Sequence, residues 1–265
     1  MTTRLVETEK DGPVAVITLC NPPANTYSYE MMRQLDEAIL AARFDPEVHA
    51  LVVTGLGEKF FCAGADIGML QSSDPTYKYY FCLHANETML RLEQTPKIVI
   101  AAINGHCVGG GLEIALACDL RIVRAGGGKL GLPEVKLGVL PGTGGTQRLA
   151  RVVGKAKAIE LMAEGENFDQ ETALALGLVN KRFEAASADD FLGQVVDYAK
   201  SLCPPSHAAK AVGHIKRAVQ TGAEVGLEQG LALERELQQR LFESEDAREG
   251  LAAFAEKRAP RFTGR

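Results

Sequence analysis

The chain has 265 residues, 46% hydrophobic and 24% charged, with a formal net charge of -5. It is long enough to bury one large core, alone or with a smaller appendage. The acidic balance gives no general pull toward nucleic acid or an anionic membrane surface, and the longest apolar runs are too short to span a bilayer. Six scattered cysteines form no CxxC pair, and the N-terminus carries acidic residues with no apolar h-region. Reduced thiols in a cytoplasm, without a signal or transit peptide, are therefore expected.

In chain order, Leu5–Glu9 and Val14–Cys20 flank Asp11-Gly12 and read as a hairpin. Asn21-Pro-Pro-Ala-Asn25 breaks the pattern. Ser28 is an N-cap candidate for a helix with Met31, Met32, Leu35, Ala38, Ile39 and Ala42 on one face. His49–Thr54 is a strand, and a small-residue turn follows the apolar run at Phe60-Phe-Cys-Ala-Gly-Ala-Asp-Ile67. Residues 75–94 read as a helix whose Tyr77, Tyr80, Phe81, His84, Met89 and Leu92 make an aromatic-rich stripe, either core-facing or lining an acyl pocket. Lys97–Ile103 is a buried strand, Gly109-Gly-Gly111 a turn, and Leu112–Cys118 a short buried helix. Asp119–Val123 is a strand, and Pro141-Gly-Thr-Gly-Gly145 opens a helix at 146–153. Short helices follow at 156–163 and 169–175, then a strand at 178–183. Beyond residue 188 only helices are expected: 188–202, 206–220, 224–242 and 244–257. The repeated strand–strand–helix order implies an α/β core over residues 1–200 and a helical element over 201–265.

Two glycine turns follow strands, Ala63-Gly64-Ala65 and Gly109-Gly110-Gly111. Glycine lets backbone approach a ligand closely, and the first N–H groups of a helix have no partner inside it. An oxyanion hole needs two main-chain donors on one oxygen, and two strand ends can each supply one. The alternative is turns that only let strand and helix pack. Glu113 lies three residues after Gly110 and shares its helix face. It sits among Leu112, Ile114 and Ala115, where a carboxylate without a partner is costly. Glu134, after Pro133, is the second carboxylate candidate, against the alternative of an exposed loop residue. Two carboxylates facing one cleft can hold a water, one taking a proton and one giving one. There is no GxSxG, P-loop, completed GxGxxG or HExxH pattern, so neither a serine nucleophile nor a metal site is expected. Cys62 and Cys107, beside the turns, read as small core residues.

Together these stretches resemble the enoyl-CoA hydratase/isomerase (crotonase) superfamily, and within it the short-chain enoyl-CoA hydratases. The matches are Phe60-Phe-Cys-Ala-Gly-Ala-Asp-Ile67, Ala102-Ile-Asn-Gly-His-Cys-Val-Gly-Gly-Gly-Leu-Glu113, Cys118-Asp119, Gly131-Leu-Pro-Glu134, Gly138-Val-Leu-Pro-Gly-Thr-Gly-Gly-Thr-Gln-Arg-Leu149 and Ala253-Phe-Ala-Glu-Lys-Arg258. The resemblance implies a spiral of ββα units, C-terminal helices that drive trimer formation, and a hexamer of two trimers. It implies a thioester oxygen between the N–H groups of Ala65 and Gly110. Glu113 would activate a water for attack on C3, Glu134 would deliver a proton to C2, and Gly142 would offer an N–H near that water. CoA would lie against Ala63, Ala65, Asp66 and Ile67. Phe254 and Lys257 would reach CoA bound to a neighbouring subunit. Gly68 stands where many hydratases carry a lysine, and 21–25 is shorter than the usual segment and lacks its basic residue. The implied reaction is reversible hydration of a trans-2-enoyl-CoA, with no cofactor beyond the CoA of the substrate. Alternatives are Δ3-Δ2-enoyl-CoA isomerisation, which needs one base, and an RNA-binding homologue. The latter would need a lysine-rich helix, and helix 28–43 offers only Arg33 and Arg43 against Glu30, Asp36 and Glu37.

Overall fold

The computed structural model describes residues 3–265. Its main sheet has six strands in the order β1 (Val6–Asp11), β2 (Val14–Leu19), β3 (Ala50–Gly55), β5 (Ile98–Ile103), β7 (Leu120–Arg124) and β9 (Lys181–Phe183), parallel except for the β1–β2 hairpin. A second, parallel sheet of three very short strands joins β4 (Phe60–Cys62), β6 (His106–Val108) and β8 (Leu130–Gly131). Successive units thus place their first strand in the large sheet and their second in the small one. The pairs β3/β4, β5/β6 and β7/β8 form a spiral staircase of ββα units, in agreement with the sequence reading.

The central strands β2, β3 and β5 of the large sheet are buried on both faces, which explains why they read as continuous apolar runs, whereas the edge strands β1 and β9 are mostly exposed. On one face Ile17, Leu19, Leu51, Val53, Val99 and Ile103 pack with helix α1 (Tyr29–Phe44) and its neighbours. On the other, Val16, Val52, Ile100 and Ile122 meet Phe191, Val195 and Ala199 of helix α8 (Ala188–Ser201). The cap and face expected for α1 hold: Ser28 accepts from the Met31 N–H, and Met31, Met32, Leu35, Ala38, Ile39 and Ala42 are all buried. Two buried asparagines tie adjacent units at the corner between the sheets. Asn104 Nδ2 donates to the carbonyls of Gly55 (2.9 Å) and Gly57 (2.6 Å), and Asn25 Nδ2 to those of Leu56 and Phe60.

Several expectations shift. The Ala63-Gly64-Ala65 turn runs directly into a short helix, α2 (Ile67–Ser72), capped by Asp66. Helix α3 (Pro75–Glu93) buries Phe81, Ala85, Thr88, Met89 and Leu92, whereas Tyr77, Tyr79 and Tyr80 are exposed. Tyr79 and Tyr80 fall off the buried stripe of Phe81, Ala85, Thr88, Met89 and Leu92, and Tyr77, one turn before Phe81 on that stripe, is exposed in the first turn of the helix. The C-terminal helices are α9 (Ala209–Gly222), α10 (Leu227–Phe242) and α11 (Glu245–Ala255), the first two starting three residues later than expected. Helix α9 is pinned to the core: Lys216 Nζ lies 2.8 Å from Asp119 Oδ2, and Gln220 donates to Asp119 Oδ1. Both ends of that ion pair are buried, with side-chain exposures of 5% and 10%.

Candidate active site

The two glycine turns meet. A methyl group on Gly64 would lie 3.0 Å from the Gly110 nitrogen. Ala65 pairs with Tyr27 as a parallel bridge, in which the Tyr27 N–H donates to the Gly64 carbonyl and the Asp66 N–H to the Tyr27 carbonyl. The Ala65 N–H, between those two bonds, points to the opposite side. Gly110 opens helix α4 (Gly110–Leu116), so its N–H has no partner in the preceding turn. Among the described residues neither N–H has an acceptor. Two adjacent, unpartnered donors are what a developing oxyanion requires.

Both glutamates converge on these turns. Gly109 has a φ of 55°, and a side chain there would come within 3.2 Å of Glu134 Oε1. Only glycine meets both demands. Glu134 begins a 3-10 turn (Glu134–Leu137) and is partly buried, with its Oε2 atom enclosed and unpartnered. Burial, together with the nearby Glu113 charge, pushes its carboxyl up to about 7. Glu113 is 2% exposed. Burial raises it above the ordinary carboxylate value, opposed by hydrogen bonds from Thr143 and Gly145. The Thr143 and Gly145 N–H groups donate to Oε1 at 2.9 and 2.7 Å, and the Thr143 hydroxyl donates to Oε2. The two carboxylates therefore differ in their partners: Glu113 is held by three donors, whereas Glu134 has an enclosed oxygen with none.

The remaining sequence candidates divide. Gly142 is exposed, its N–H has no acceptor among the described residues, and it adjoins the Thr143 clamp on Glu113. Ala63, Ala65, Asp66, Ile67 and Gly68 line the path from β4 into α2. The Asp66 Oδ1 caps α2, accepting from the Met69 N–H at 2.6 Å, and the Asp66 backbone is engaged by the Tyr27 carbonyl and the Leu70 N–H. Ile67 is 47% exposed. Phe254 and Lys257 lie at the far end of α11, a helix packed on α10, and are not brought to the glutamates within one chain. Phe254 is 87% exposed. Two residues of the hydrogen-bond chain to Glu113 are not foreseen from the sequence: Thr143, and Tyr27, which reads there only as an aromatic of a possible acyl pocket. Tyr27 is buried, and its hydroxyl lies 3.1 Å from Thr143 Oγ1 and against Gly110. The PGTGG run pointed to a helix start, but nothing in it marked Thr143 as a partner of Glu113.

The chain belongs to the Enoyl-CoA hydratase/isomerase family, which matches residues 9–265. It is 39% identical over 251 residues to the short-chain-enoyl-CoA hydratase of Clostridium acetobutylicum, covering 94% of each chain. It is 35% identical to the crotonyl-CoA hydratase of Syntrophomonas wolfei, covering 96% of each. Among solved structures, an enoyl-CoA hydratase from Geobacillus kaustophilus superposes with a TM-score of 0.95 at 43% identity, over 100% of this chain and 98% of that one.

The raised Glu134 has a measurable cost. The folded chain holds this proton up to about pH 7, against an ordinary value of 4.5. The native state thus binds the proton more tightly than the unfolded chain, and stability is lost as pH rises from 4.5 to 7. Glu134→Gln should raise the stability of the ligand-free protein by roughly 1–3 kcal/mol at about pH 8, at ~1.4 kcal/mol per pH unit, and by little at about pH 4.5. Urea denaturation at the two pH values reads the difference; an equal gain at both would refute it.

Proposed function

We propose that this chain is an enoyl-CoA hydratase, adding water reversibly across the C2–C3 double bond of a trans-2-enoyl-CoA to give a 3-hydroxyacyl-CoA. The observation that carries the reading is two unpartnered N–H groups where two glycine turns meet, beside two unlike carboxylates, Glu134 against Gly109 and Glu113 on the helix that Gly110 opens. The Ala65 and Gly110 N–H groups receive the thioester oxygen and draw electron density from C3. Glu113 takes a proton from a water held between the glutamates and near the Gly142 N–H. The water oxygen bonds to C3, the π pair moves to C2 and the oxygen, and C2 takes the proton of Glu134. Exchange with solvent restores both side chains. Water addition is redox-neutral and both proton transfers have a side chain, so the reaction calls for no cofactor beyond the substrate's CoA.

In this reading the backbone from Ala63 to Gly68 holds the CoA moiety, and Phe254 and Lys257 act on CoA bound to a neighbouring subunit. Residues 1–200 carry the site, and 201–265 form an oligomerisation element of a homotrimer or dimer of trimers. Exposed Ile215, Val219, Leu227 and Phe254 on those helices support it. The expected setting is the cytoplasm. No helix among the described residues is long and apolar enough to cross a membrane. Arg33 is engaged by Glu30 and Glu37, and Arg43 by Thr95 and the Arg91 carbonyl, which weighs against an RNA-binding helix.

Purified protein should hydrate crotonyl-CoA, with loss of the enoyl absorbance and formation of 3-hydroxybutyryl-CoA. A panel of longer and branched enoyl-CoA esters would define the acyl preference. Conversion of a 3-enoyl-CoA without hydration of any 2-enoyl-CoA would replace this reading by isomerisation.

A further inference from the structure

The hydrogen bonds around Glu113 carry one more assignment, which rests on the hydratase reading. An ionised carboxylate only accepts, with about two acceptor positions on each oxygen. Both positions on Oε1 are filled by the Thr143 and Gly145 N–H groups. One on Oε2 is filled by the Thr143 hydroxyl. That hydroxyl has a single hydrogen, which Glu113 receives. Its oxygen can then only accept from Tyr27, 3.1 Å away. With Glu113 ionised, the chain runs from Tyr27 Oη to Thr143 Oγ1 to Glu113 Oε2. We propose that Tyr27 and Thr143 are positioning residues forming a donor relay. The relay holds Glu113 in its charged, water-activating form and leaves the second side of Oε2 as the acceptor for the water's proton.

The surroundings support this polarity. Tyr27 is buried and loses its proton only well above the ordinary tyrosine range, because burial and the Glu113 charge both oppose a phenolate. It therefore remains a donor throughout the working range. Its ring stacks against Phe81, with centroids 5.8 Å apart, and cannot turn away without unpacking the core. The other titratable groups facing Glu113 are Cys82 of α3, Glu134, and Arg148 of helix α5 (Gly145–Val153). Arg148 is itself paired with Glu93 at 3.0 Å, so its charge is partly spent elsewhere. No lysine or second arginine neutralises Glu113 among the described residues, and the relay supplies neutral donors in place of a counter-ion.

A hydrogen bond to a charged group favours the charged form, so removing one raises the group's affinity for its proton. The test is the pH profile of kcat/KM for crotonyl-CoA hydration in the wild type, Thr143→Val, Thr143→Ser and Tyr27→Phe, with butyryl-CoA binding measured by calorimetry. Thr143→Val should lower kcat about 10- to 100-fold and move the acidic limb to higher pH, while butyryl-CoA binding changes less than about 3-fold. Thr143→Ser should restore both rate and limb. Tyr27→Phe should move the limb in the same direction by less. An acidic limb at the wild-type position in both Thr143→Val and Tyr27→Phe overturns the relay and leaves the hydratase reading intact. Should Thr143→Val not fold, Tyr27→Phe against Thr143→Ser decides alone. A wild-type protein that hydrates no enoyl-CoA overturns the hydratase reading and the relay with it.

Discussion

Glu113→Gln should lower kcat for crotonyl-CoA hydration by about 10²–10⁴-fold, the range for loss of a positioned general base, with little change in CoA-ester affinity. Glutamine keeps the length and volume of the side chain. Its amide oxygen can still accept from the Thr143 and Gly145 N–H groups that now bind Oε1. It cannot take a proton from water, and its amide nitrogen would face the Thr143 hydroxyl as a second donor. The fold should survive, because helix α4 is held by its apolar neighbours Leu112, Ile114 and Ala115, all fully buried. Steady-state kinetics with crotonyl-CoA and titration with butyryl-CoA separate the outcomes. Turnover within a few-fold of wild type would remove Glu113 from the chemistry.

Gly110→Ala should cost about 10²–10³-fold in kcat. A methyl group there would lie 2.1 Å from the Tyr27 hydroxyl and 2.5–2.6 Å from its ring carbons. These are atoms of a buried ring, not the end of a flexible chain. Either Tyr27 or the start of α4 must move, and the ring is braced by Phe81. Displacing the helix start would carry the Gly110 N–H away from the proposed position of the thioester oxygen, and one oxyanion donor is worth about 2.7–4 kcal/mol of transition-state stabilisation. Unlike Glu113→Gln, this change should also weaken CoA-ester binding, because the donor acts on the ground-state carbonyl too. Wild-type kinetics in Gly110→Ala would mean the turn has only a packing role.

What could be read beforehand follows from the range of the interactions. Helix α1 was legible because its cap and apolar face lie within one short window, and β3 and β5 because a strand buried on both sides must be apolar throughout. The small sheet was not legible. Its strands have two or three residues and are made by register with one another, Cys107 opposite Leu130 and Phe60 opposite His106. No periodicity develops over so short a run. Glu113 and Glu134 stood out, one for its apolar setting and both through the family's motifs. Thr143 and Tyr27 did not, since their meeting spans 116 positions and depends on how two units of the spiral stack. Of the two readings of the α3 tyrosines the core-facing one fails, because aromatic content is no guide to facing: Tyr79 and Tyr80 meet edge to face at the surface.

The Lys216–Asp119 contact reaches beyond local stability. Asp119 closes the loop immediately after α4 and also accepts from the Val99 N–H at 2.7 Å, so one carboxylate joins helix α9 to the central strand β5. Replacing Lys216 by Met would leave this acid buried beneath α9 without its counter-charge, a loss of about 3–5 kcal/mol for a buried pair missing one partner. The tail is thus a keystone for the architecture beneath it, and trimming it to obtain a minimal catalyst would loosen the scaffold that aims Glu113.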